Sequence, residues 1–290
     1  MTFNDDADIS SGQVSKRGRN TAIGVGGGGL GLIAVVIISQ LLGVDLTGLV
    51  GGTSGGTSDT SGSPLSQCTT GSQANADIDC RMKAASASLD TYWSGEVDGY
   101  TSPQPLVIFD QATDTACGGA TTAVGPFYCP NDQTIYIDTA FYNELRSQFG
   151  ASGGPLAQLY VIAHEWGHHI QNITGIMKNL DLQQTGPTSD SVRLELQADC
   201  FAGSWVGAAQ DTKDENGVPF LQPVTQSEIA DALNAAAAVG DDNIQQTTQG
   251  QVSPESFTHG TSAQREKWFT AGLNGGWQAC DTFGASAGTL

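Results

Sequence analysis

Three of the chain's four histidines fall within six positions of the stretch LYVIAHEWGHHIQNI, residues 159–173. His164 and His168 stand four apart. On a helix they share one face, one turn apart, and can hold one metal ion together. Glu165 projects beside them, within reach of a water on that ion. Catalytic zinc takes three protein ligands and leaves one position open. His169 points about 140° around the helix from His164, so it reads as a packing or surface residue. The metzincin pattern needs a histidine six residues beyond His168, and Thr174 stands there instead. The third ligand is therefore expected from another helix. RLELQADCFAG supplies Glu195 and, four residues on along the same helix face, Asp199. Glu195 is expected to complete the zinc set. Asp199 is expected to accept a hydrogen bond from a ligand histidine, orienting its ring and raising its basicity.

These side chains need two long helices held side by side. Pro155 suits the first turn of a helix carrying the histidines, and a second helix is expected from about Ser191 to Gln210. Thr225 with Glu228, and Thr261 with Gln264, are spaced as capping boxes for two more helices, the first ending at Gly240. Ile78, Met82, Ala85, Leu89 and Tyr92 form one helical stripe. PLVIFD and QTIYID read as strands, and PFYCPNDQTIYID as a hairpin turning at Pro130 to Gln133. The order of elements is helix, small sheet, several helices, which predicts an α+β domain. The Gly240-Asp241-Asp242 run reads as a helix end followed by solvated acids. Asn172-Ile173-Thr174 fits the glycosylation pattern but is discounted because it falls on the histidine helix.

The chain has 30 acidic and 11 basic residues and a net charge of −19. Such a surface repels phosphate backbones, which argues against nucleic-acid binding. Residues 21–43 are uncharged and long enough to span a hydrocarbon core of about 30 Å as a helix. GVGGGG within them mimics a dinucleotide fingerprint, but no strand precedes it. Lys16, Arg17 and Arg19 lie just before this stretch. The expectation is a cytoplasmic tail at 1–20, a transmembrane helix at 21–43, a Gly/Ser/Thr-rich tether at 44–67 and an outward-facing domain at 68–290. All six cysteines fall on the outward side. None forms a C-x-x-C pair, which argues against a thiolate zinc site. Their even number in an oxidising compartment suggests disulfides, for which six cysteines allow 15 connectivities. The expected pairs are Cys68–Cys80 and Cys117–Cys129, which close short loops, and Cys200–Cys280, which ties the C-terminus to the middle of the domain.

HEWGHHIQ, RLELQADCFAG and THGTSAQR together resemble the putative neutral zinc metallopeptidase family of bacteria, over most of residues 68–285. The first two motifs also resemble the wider gluzincin clan. The resemblance implies a zincin-like fold with the two ligand helices beside a small sheet, an N-terminal membrane anchor, one catalytic zinc ion and a peptide substrate. The chemistry expected is hydrolysis of a peptide bond by an activated water, with Glu165 as general base. His259, just before a helix start, is the expected donor to the developing oxyanion or else a group supporting the ligands. Arg265 is the alternative donor. The segment Val124 to Cys129 is the expected sheet edge along which substrate lies. Two other readings stand beside this one: a zinc-binding ectodomain that displays a partner surface, and a zinc amidase acting on cell-wall peptide. Oligomeric state is not legible in the sequence.

Overall fold

The computed structural model describes residues 3–18 and 63–290. The first helices follow from local signals. Thr70 and Gln73 form a capping box for α1, Gly71–Ala76, and Asp77 caps α2, Ile78–Glu96. The stripe of α2 predicted from periodicity is buried at Met82, Ala85, Leu89 and Tyr92. The strands are β1 (Val14–Lys16), β2 (Ser63–Pro64), β3 (Gln104–Ile108), β4 (Ala112–Thr115), β5 (Gly118–Thr121), β6 (Phe127–Cys129) and β7 (Thr134–Ile137). Helices α3 (Phe141–Phe149), α4 (Pro155–Ile173), α5 (Asp190–Gly207), α6 (Gln226–Ala238), α7 (Asp241–Gln249) and α8 (Ser262–Gly275) complete the mixed α+β architecture. Both predicted capping boxes, at Thr225 and Thr261, are present.

The main sheet runs in the order β2-β1-β3-β7-β6. β6 and β7 form the predicted hairpin, pairing Phe127 with Tyr136 and Cys129 with Thr134. That leaves β6 on the sheet edge, against the side of α4. The hairpin of β4 and β5 has no strong alternating pattern and was not expected; it makes a separate two-stranded sheet.

The helical layer is packed almost backbone to backbone. A Cβ on Gly272 of α8 would lie 1.8 Å from the Cys200 carbonyl oxygen of α5. Gly167, between the two ligand histidines, lets α4 approach α5 where a Cβ would sit 3.0 Å from the Ala198 Cα. Close approach of these axes brings side chains on the two helices within bonding distance of one another. All three expected disulfides are formed: Cys68–Cys80, Cys117–Cys129 and Cys200–Cys280. The last ties α5 to the segment that follows α8.

The expected domain boundary needs correction. Residues 3–18 are not a tail apart from the domain. β1 pairs in parallel with β3, placing Val14 opposite Leu106. Phe3, Ala7, Ile9 and Val14 are buried in the main core. The tether's end also belongs to the fold, since Leu65 is buried and the Lys83 ammonium donates to the Leu65 and Cys68 carbonyls. The physical reason is apolar burial by a few spaced side chains, too sparse to register as periodicity. The expected transmembrane helix at 21–43 and most of the 44–67 tether lie outside the described residues. Among the described residues no helix is long and apolar enough to cross a membrane.

Candidate metal centre

Pro155 starts α4, and 19 residues of regular helix carry His164 and His168 onto one face. Ser189 caps α5, which presents Glu195 and Asp199 to that face. The two imidazoles approach with ring centroids 4.8 Å apart. His164 Nε2 lies 3.1 Å from Glu195 Oε2, and His168 Nε2 lies 3.5 Å from Glu195 Oε1. Donor atoms of these three residues all fall within 4.8 Å of one another. Tetrahedral zinc with bonds of about 2.05 Å separates its ligand atoms by about 3.4 Å, so the donor set fits the ion.

The rings are also turned the right way. His164 Nδ1 lies 2.8 Å from Asp199 Oδ1. Asp199 only accepts, so Nδ1 carries the proton and Nε2 keeps its lone pair for a metal. For His168 the same service comes from Gln171, a residue that sequence reading missed. The Gln171 amide donates to the Leu194 carbonyl at 2.7 Å, which turns its Oε1 toward His168 Nδ1 at 2.8 Å. Its position three residues after His168, on the same helix face, was the available signal.

Asp199 is wholly buried and is itself held in place. Arg265 donates to Asp199 Oδ2 from Nε at 2.8 Å and to Oδ1 from Nη2 at 2.9 Å. The same guanidinium bonds the Val239 carbonyl and the Tyr160 hydroxyl, and Tyr160 donates to Asp199 Oδ1. Arg265 is thus committed to the orienting carboxylate, which differs from its expected place as a donor to reacting oxygen. Burial penalises the Asp199 charge, yet Arg265 and His164 outweigh it and hold its pKa low.

The site is rich in carboxylate. Burial opposes charge on Glu195, but His168 and His164 hold it well below the usual carboxylate range. Burial likewise disfavours a charged His164, while Asp199 and Glu195 push it up to about 10. A proton on His164 Nε2 occupies the place a cation would take, so a metal displaces it on binding. Glu165 is buried, which raises its pKa, and His168 and His164 only partly offset this. It lines the same cavity as the three ligands.

His259 also lines that cavity. Its Nδ1 lies 3.2 Å from Asp241 Oδ1, leaving Nε2 as the nitrogen without a partner among the described residues. Asp241 is wholly buried, and its Oδ2 accepts the backbone N–H groups of Thr258, His259 and Gly260. This corrects the reading of Asp241-Asp242 as solvated acids. A new helix, α7, starts there, and its first acidic residue turns inward to anchor the His259 loop. Asp242 is likewise engaged, accepting from the Ser262 N–H and hydroxyl. Burial lowers the His259 pKa, but the hydrogen bond and charge of Asp241 outweigh it and leave it raised. His169 is fully buried between the Tyr128 hydroxyl and the Thr101 carbonyl, away from the three converging ligands.

A helix-borne His-His-Glu set, a buried glutamate and an Asp-supported histidine on a mixed α+β fold make this a candidate metal centre. The chain belongs to the putative neutral zinc metallopeptidase family, whose model matches residues 3–283. That span takes in β1, consistent with the N-terminal segment being part of the folded unit. The chain is 48% identical over 252 residues to the uncharacterized protein Rv2575 of Mycobacterium tuberculosis, covering 86% of each chain. It is 42% identical over 289 residues to the uncharacterized protein YpfJ of Escherichia coli K12, covering 96% of this chain and 94% of that one. No solved structure matches it.

Proposed function

We propose that the protein is a zinc-dependent peptidase of zincin-like architecture, hydrolysing peptide bonds with Glu165 as general base. The observation that carries this reading is the convergence of His164, His168 and Glu195 within 4.8 Å, with Glu165 in the same cavity. A purely structural site has no need of a buried base beside it. Bound by the three ligands, zinc would acidify a water and polarise a carbonyl oxygen. Glu165 would take the proton of the attacking water and return it to the leaving amine, and its place in the same cavity suits both transfers. His259 donates from Nε2 to the carbonyl oxygen as charge develops on it. Asp241 keeps that imidazole protonated and aimed. Asp199 and Gln171 hold the ligand rings, and Arg265 holds Asp199. Substrate lies extended along the free edge of β6, whose Phe127 and Tyr128 line the cavity.

Location is part of the same reading. Three disulfides favour the oxidising side of a membrane. Attachment through the 21–43 stretch is supported by its length and lack of charge, and the pairing of β1 with β3 favours both of its flanks lying on one face of the membrane.

Metal analysis of the purified chain should find about one zinc per chain, and Glu195→Ala should lose it. Glu165→Gln should keep the zinc and lose peptide hydrolysis by at least about a hundredfold. Retained turnover in Glu165→Gln, or zinc content unchanged in Glu195→Ala, would sink the reading.

A further inference from the structure

The cavity at the metal centre does not stop at its ligands. It runs on between α4, α3, α6 and α7, and the metal centre and this extension together enclose about 170 Å³. The walls of this extension are Val161 on α4, Phe141, Leu145 and Phe149 on α3, Val239 just after α6, and Ile244 on α7. Val161 stands one helical turn before Glu165, so the chamber opens directly beside the base. An aliphatic and aromatic cavity of about 150 Å³ is large enough to take benzene. The space therefore has room for no more than one branched aliphatic or aromatic side chain. Its polar lining is the metal-centre residues together with half-exposed Glu144 and exposed Gln148 on α3.

We infer that this chamber receives the side chain of a residue flanking the scissile bond and selects a large apolar one. The inference rests on the peptidase reading and adds its specificity. Glycine at that position would leave an apolar surface solvated or empty, whereas leucine, methionine or phenylalanine would cover it. Burial of one such side chain corresponds to a ~10- to 150-fold preference over glycine in kcat/KM. A basic side chain reaching Glu144 would need its whole stem in the chamber and its head at the rim, and it is the rival outcome of the test.

Two measurements decide it. Toluene titrated into the purified full chain, with no metal requirement, should shift the methyl NMR signals of Val161, Leu145, Val239 and Ile244. Val239→Phe fills the chamber from a half-exposed position and should abolish those shifts while zinc content stays the same. Should Val239→Phe fail to fold, Val161→Phe fills the same space from α4. In parallel, cleavage sites in a peptide library should show leucine, methionine or phenylalanine at one fixed position beside the cut. Val239→Phe should move that preference to alanine and glycine. No toluene binding overturns the inference. Glu165-dependent cleavage without apolar preference, or with lysine or arginine at that position, overturns it while leaving the peptidase reading intact. No Glu165-dependent cleavage removes the peptidase reading and the substrate with it, and toluene binding separates that result from a closed chamber.

Discussion

Each of the three histidines at this centre is held by a second side chain, and the holders differ in how visible they were. His164, Glu165, His168, Glu195 and Asp199 follow from spacing on two helices, because helical periodicity fixes which side chains share a face. Asp241 was hidden, since an acid after a glycine looks the same in sequence whether it faces solvent or a buried loop. Its three backbone hydrogen bonds exist only once α7 and the 258–260 loop meet. A pH profile tests its role. His259 has its pKa raised by Asp241, so the protonated donor persists to higher pH and is lost as pH rises through that value. Activity should therefore fall on the alkaline side. Asp241→Asn removes the charge that raises it, so the alkaline limb should move to lower pH and kcat should fall ~10- to 100-fold. An unmoved limb would assign Asp241 to loop stability alone.

The distance between helices decides whether the residues can cooperate at all. α4 and α5 carry the ligands, but their separation is set by Gly167 against Ala198, and α5 is backed by α8 through Gly272. A methyl at Gly272 meets the Cys200 carbonyl at 1.8 Å, and backbone is the least able of neighbours to yield. Gly272→Ala should cost ~3 kcal/mol or more, which for a domain of this size lowers Tm by ~6–12 °C. Thermal melting of the variant checks this, and a change below about 2 °C would mean the helices part easily. The helices themselves were legible from caps and stripes. Their spacing was not, because a glycine reads as a weak helix residue until the opposing backbone is known. The missed helix α7 has the same origin: Gly240 looked like a stop, but it is the N-cap of the next helix.

At the scale of the whole molecule, the N-terminal segment is the main change from expectation. Three buried side chains, Phe3, Ile9 and Val14, contribute roughly 1.5–3 kcal/mol each, enough to bind 3–18 firmly to the remainder. A tag placed before residue 3 and one placed after residue 290 should therefore respond alike to an impermeant label applied to intact cells. Labelling of the C-terminal tag alone would separate the two ends and restore a single crossing between them.

The sequence by itself pointed to the side chains that converge, His164, His168 and Glu195 with Glu165 beside them, and to the disulfide partners. Helical spacing, residue chemistry and loop length are local properties, and they sufficed for these. Only the tertiary structure decided that Arg265 serves Asp199, that Asp241 serves His259, that β1 belongs to the sheet and that an apolar chamber lies beside Glu165. Each of these depends on segments distant in the chain being brought within a few ångströms, and no local pattern records which segments those are.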